Sequence, residues 1–215
     1  MDIVTLLAVA GCLTGLLGCL VLRRSRRPAP VHPGCCAAGV GLLWAGTGWR
    51  WFSGGLPPWW LPVPLVVTAL AVPLALADLR YRRLPDVLTL PAYPLVALAV
   101  AAVVLTGPEQ GAGPRAALGC LVFAGVHLVV RMLSPASLGA GDVKLAGALG
   151  AVLGAVGWAA LVLAAAGAAL GTALLAFVRR PGWRDGVPYG PGLLAAACLV
   201  AIFPAAGSLE VGMGN

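Results

Sequence analysis

The sequence predicts an all-α fold: a polytopic integral membrane helical bundle of about eight transmembrane helices, with the N-terminus outside. Three observations lead there. Of the 215 residues, 60% are hydrophobic and only 10% are charged, whereas a soluble domain carries about 25% charged residues. Apolar runs recur at the length of about 20 residues that crosses a bilayer, and eight of them use about 160 residues, leaving no room for a sizeable soluble domain. The basic residues gather in short loops between alternate runs. The formal charge of +7 therefore reads as membrane topology, and nucleic acid is not an expected partner.

The first span covers about Ile3 to Leu22 and is stopped by Arg23, Arg24, Arg26 and Arg27. The chain begins "MDIV" and its arginines follow the apolar run. That is the reverse of a signal peptide, so a retained first helix is expected. The second span, about Cys35 to Trp51, is short and glycine-rich. "SGGLPPWW" then supplies a turn with tryptophans suited to an interface. The third span, about Trp60 to Ala77, ends on Asp78, and the loop "LRYRRLPD" follows. The fourth covers about Val87 to Thr106 and the fifth about Ala116 to Leu133. From Val143 to Val178 the chain is almost continuously apolar, too long for one helix. A tight turn near Gly157 and Trp158 would divide it into two short spans. The eighth span is about Val187 to Ala206. This layout divides the chain into residues 1–59, two helices with a short basic cytoplasmic loop, and 60–215, a core of about six spans.

Charge tests the layout. With alternating spans, one side holds Arg23, Arg24, Arg26, Arg27, Arg80, Arg82, Arg83, Arg131, Lys144, Arg179, Arg180 and Arg184. The other holds Arg50 and Arg115. Twelve against two marks the first side as cytoplasmic. "GCLTG", "GAVLG" and "GAALG" match the small-residue spacing that lets helices approach closely, and they read as packing.

The six cysteines show no CxxC pair, and most lie in apolar runs as small hydrophobes. Neither disulfides nor a metal or other cofactor is expected. No HExxH motif, phosphate loop or dinucleotide fingerprint is present. His127 falls inside the fifth span and reads as a core histidine, and no Ser–His pair has a plausible placement.

Chemistry therefore rests on the acids. Asp2, Glu109, Asp185 and Glu210 read as solvated surface charges. Asp78, Asp86 and Asp142 all fall at the cytoplasmic edge of the bilayer. Asp78 closes an apolar helix, where the macrodipole opposes its charge and the neighbouring arginines favour it. It is a helix-end ion pair or something more. Asp142 opens an apolar helix behind Gly139 and Gly141, and alone it reads as an N-cap. Lys144, two residues on, points away from it and toward headgroups. Asp86 reads as the N-cap of the fourth span. If Asp78 and Asp142 face each other, repulsion makes them share a proton, and the pair can activate water as aspartic proteases do. A small proton- or cation-coupled transporter using the same acids, or a catalytically silent assembly subunit, are the competing readings.

"DLRYRRLPD" (Asp78 to Asp86) resembles the first catalytic-aspartate motif of type IV prepilin peptidases. "GAGD" (Gly139 to Asp142) followed by "VKL" resembles their GxGD motif. "VPYGP" (Val187 to Pro191) is similar to the PFGP-like segment that opens their last helix, with Tyr189 in the phenylalanine place. The resemblance spans about Trp60 to Pro204. It implies a membrane aspartic endopeptidase with Asp78 and Asp142 as the catalytic pair. Pro85, Asp86, Gly139, Gly141, Lys144, Tyr189, Gly190 and Pro191 would support the motifs or substrate. The implied setting is the bacterial cytoplasmic membrane, and the implied partner is a prepilin- or pseudopilin-like protein, cleaved at the cytoplasmic face after its short basic leader. Larger members carry a CxxC-bearing cytoplasmic domain between their first two spans, linked to N-methylation. Here "RRSRRPAPVHPG" stands in that place, so a short form without that activity is expected. Presenilin-like proteases share GxGD, but their PAL segment is missing.

Overall fold

The structure, a computed structural model, describes residues 2–108, 111–135, 138–177 and 187–204. Glu109, Asp185, Glu210, Arg179, Arg180, Arg184 and the end of the expected eighth span lie outside them. Eight α-helices occur among the described residues, and no strand. They are α1 (Ile3–Arg24), α2 (Pro33–Phe52), α3 (Pro62–Tyr81), α4 (Asp86–Thr106), α5 (Ala112–Leu133), α6 (Ala140–Val156), α7 (Trp158–Phe177) and α8 (Gly190–Ile202). A 3-10 turn at Pro58–Trp60 leads into α3.

Five of these stretches are long and apolar enough to cross a membrane: α1, α3 with its leading turn, α4, α5 and α7. The protein is a multi-pass membrane protein. The remaining three helices depart from the ideal span for physical reasons. α2 is long enough but glycine-rich. α6 and α8 are short and mostly buried by other helices, so protein surrounds them where lipid would otherwise set the required length.

α1 and α2 form a hairpin that leans on α3. α6 sits inside the bundle against α4, α5, α7 and α8, while α8 packs between α3 and α7. The close contacts use small residues. Gly150 and Gly154 of α6 meet Gly119 of α5, where a β-carbon on Gly150 would stand 2.6 Å from that of Phe123. The "GCLTG" and "GAALG" glycines likewise face α2 and α8, which is the packing role expected of them.

The break between α6 and α7 falls at Gly157, whose φ of 150° lies where side chains are rarely tolerated. This is the turn the sequence placed there. α3 runs past the expected end. It continues through Asp78 to Tyr81 and closes on Arg82 in the left-handed conformation, whose N–H donates to the Asp78 carbonyl at 2.8 Å.

The basic loops meet at one end of the bundle. Arg83 donates to the carbonyls of Pro28 (2.7 Å) and Arg27 (3.2 Å), and the Tyr81 hydroxyl to Pro30 (2.8 Å). These bonds tie the α1–α2 connection to the α3–α4 turn. Arg50 and Arg115 stand at the opposite end, bonded to the carbonyls of Gly55 and Ala155.

Candidate active site

Three helix termini converge at the arginine-rich end. α3 delivers Asp78 in its last turn, α6 delivers Asp142 in its first, and α8 begins at Gly190. Asp78 is 5% exposed and Asp142 8%, so both carboxylates are lifted out of water. Removing a charged group from water is costly unless it finds partners, and each acid has one. Asp142 Oδ2 accepts the backbone N–H of Gly139 at 3.0 Å. The Gly190 backbone N–H is directed at the Asp78 carboxylate.

One oxygen of each acid is left over. Asp78 Oδ2 and Asp142 Oδ1 are buried with no hydrogen-bond partner. Both face Gly190: a β-carbon built there would lie 2.6 Å from Asp78 Oδ2 and 3.3 Å from Asp142 Oδ1. The two oxygens are therefore no farther apart than those distances added together. That is within the range of about 4–6 Å over which one charge controls the ionisation of another. Arg82 and Arg131 act electrostatically on Asp78 and Asp142 respectively. Arg131 is fixed by donating to the Leu138 carbonyl at 2.7 Å.

The local roles differ from those the sequence suggested. Asp142 is not the N-cap of α6. Gly139 is, and Asp142 reaches back to its N–H from the third helical position. This is the half of a capping box that a glycine cap permits. Asp86 is not an N-cap either. Pro85 occupies that place, and Asp86 is the first residue of α4. Its Oδ1 accepts Lys144 Nζ at 2.8 Å. Lys144 therefore turns toward α4 instead of toward headgroups.

The motif glycines also have local occupants. A β-carbon on Gly141 would stand 2.8 Å from that of Leu84 in the α3–α4 turn. One on Gly139 would stand 2.9 Å from Asp142 Oδ2. Their missing side chains let α6 start directly beneath that turn and let its acid fold back. A cavity of about 740 Å³ opens beside Gly141, lined by Arg26, Arg27, Arg83, Asp86 and Lys144 among others.

His127 was expected to be a core histidine. It is buried, yet it stands beside the site. Its Nε2 lies 3.3 Å from the Tyr189 hydroxyl, and Tyr189 immediately precedes Gly190. Tyr189 in turn stands near Asp142. Nothing local in the sequence signals this, because the two residues are 62 positions apart. Pro191 occupies the first turn of α8, where its fixed φ suits a helix start.

The chain matches the model of the type IV leader peptidase family over residues 65–205. The chain belongs to that family. The match runs from α3 through α8 and so includes all three termini that meet at Gly190. No curated protein and no solved structure matched this leader peptidase.

Proposed function

We propose that this leader peptidase is an aspartic endopeptidase in which Asp78 and Asp142 act as one catalytic pair. The observation that carries the reading is the convergence of their two unpartnered oxygens over Gly190. Two buried carboxylates this close cannot both ionise cheaply, so the pair holds one proton between them. Asp142 stands at the positive end of α6. That position suits it to the base. Asp78 stands in the last turn of α3, near that helix's negative end, which suits it to hold the proton.

In this mechanism Asp142 takes a proton from water as the water oxygen bonds to the peptide carbonyl carbon. Asp78 gives its proton to the carbonyl oxygen. The tetrahedral intermediate then returns the carbonyl, and its hydroxyl proton goes back to Asp78. The C–N bond breaks, and the proton held by Asp142 goes to the leaving amine.

The substrate proposed is a prepilin-like protein with a short basic leader before an apolar segment, cut at the cytoplasmic face of the bacterial cytoplasmic membrane. The arginine-rich end supports that side. The cavity beside Gly141 carries Arg26, Arg27 and Arg83 around an already paired Asp86. It repels a basic leader, whose charge is better placed by the anionic membrane surface. Residues 25–32 join α1 to α2 and carry no cysteine, so the reading includes no N-methyltransferase activity.

The test is co-expression with a candidate prepilin, following the leader by intact mass. Loss of the leader mass, dependent on this chain, is the expected result. An unprocessed substrate, with this chain present in the membrane, would count against the reading.

A further inference from the structure

We propose that His127 is a positioning residue for the catalytic pair: it accepts the Tyr189 hydroxyl and thereby holds Gly190 against Asp78 and Asp142. The inference rests on the endopeptidase reading above and assigns a supporting residue to the same site.

The hydrogen-bond geometry defines the ring's role. His127 Nδ1 lies 2.8 Å from the Phe123 carbonyl, one turn earlier in α5. A carbonyl can only accept, so Nδ1 carries the proton. In the neutral imidazole the other nitrogen, Nε2, is then an acceptor. The Tyr189 hydroxyl at 3.3 Å is the donor that Nε2 meets. Both ring nitrogens are thus used, one to fix the ring on α5 and the other to hold a residue of a different element.

Packing supports the same link. The His127 ring is wedged between Phe123, at 4.5 Å between centroids, and Tyr189, at 5.8 Å. Tyr189 makes no side-chain bond to the start of its own helix. Its phenol is anchored on α5 instead. The next residue is Gly190, whose backbone faces both carboxylates. A shift of Tyr189 therefore moves the surface that Asp78 and Asp142 share. An apolar side chain could fill the volume of the imidazole, but it could not accept the hydroxyl. Tyr189 is half-buried, and a hydroxyl partly shielded from water is costly to leave without a partner.

Phenylalanine in the Tyr189 place would have no hydroxyl and would need no acceptor. His127 and Tyr189 are thus a matched pair, and they should show it in combined variants.

The experiment uses the full-length protein in lipid vesicles and a synthetic peptide with a short basic leader before an apolar segment. His127→Phe should lower kcat about tenfold and leave KM within about twofold. Tyr189→Phe removes the same hydrogen bond and should lower kcat about fourfold, less than His127→Phe because the ring packing remains and no hydroxyl is left without an acceptor. The double variant should recover to the Tyr189→Phe level, since the hydroxyl that lost its acceptor is gone. His127→Gln, which retains an acceptor, should keep more activity than His127→Phe.

A double variant as impaired as His127→Phe, or more so, would overturn the proposal. So would a His127→Phe chain that loses thermal stability but keeps its kcat. If His127→Phe does not fold, the double variant carries the test and should regain both yield and activity. Failure to regain them would overturn the proposal.

A second readout is independent of turnover. The sequence has two histidines, His32 and His127, so ¹⁵N-histidine spectra are resolvable. Tyr189→Phe should shift the His127 Nε2 resonance and leave those of His32 unchanged. An unmoved His127 resonance contradicts the link. Wild-type protein that cleaves nothing but shows this shift would instead refute the endopeptidase reading while leaving the His127–Tyr189 link standing.

Discussion

Asp78 and Asp142 approach each other across a single residue without a side chain: Asp78 Oδ2 and Asp142 Oδ1 face the same point above Gly190. Any β-carbon at 190 would enter the space between them. Gly190→Ala is therefore expected to reduce leader cleavage by at least about a hundredfold, because a misplacement of about 1 Å at a catalytic centre can cost that much. Overpacking should also cost about 1–3 kcal/mol of stability. Cleavage rates and thermal unfolding of the variant check this together. Near wild-type cleavage would mean that the acids do not work across Gly190.

A proton-sharing pair makes a prediction about pH. When both carboxylates are protonated no base remains, and when both are ionised no acid remains. The rate should rise and then fall with pH, giving a bell whose two limbs belong to the pair as a unit. Mutating Asp86, which lies outside the pair, should leave both limbs in place. A pH–rate profile of kcat/KM measures this, and a single sigmoid across the range would contradict a shared proton.

The Lys144–Asp86 ion pair is the motif contact with the least expected consequence. It is short at 2.8 Å, but the two side chains are 43% and 57% exposed. Exposed pairs contribute about 0.2–1 kcal/mol and are screened by salt. Asp86→Asn and Lys144→Met should each retain activity within about fivefold. The charge-swapped double variant should be no worse than either single one. Loss of more than a hundredfold in either single variant, with normal folding, would give the pair a role in catalysis.

What could be read from the sequence was whatever short-range chemistry decides. Apolar runs marked the helices, and Gly157 marked the break between α6 and α7. The loop arginines marked the end of the bundle where the acids meet. Local reading misjudged the roles that depend on packing. Asp142 and Asp86 look like caps because aspartate before an apolar run favours that role. The actual caps are Gly139 and Pro85. Lys144 finds Asp86 across 58 positions, and His127 finds Tyr189 across 62. Both meetings depend on how α4, α5 and α8 dock on α6, which no periodicity encodes. Gly190 was visible only as part of a helix-opening motif. Its place between the acids follows from the packing of α8 against α3 and α6.

The most direct test of the central claim is a comparison of single-turnover cleavage by Asp78→Asn, Asp142→Asn and the double variant, each folded and in the membrane. Residues that act as a unit are strongly non-additive. The account predicts that each single variant falls to the background rate and that the double variant falls no further. Near wild-type cleavage by either single variant would contradict it.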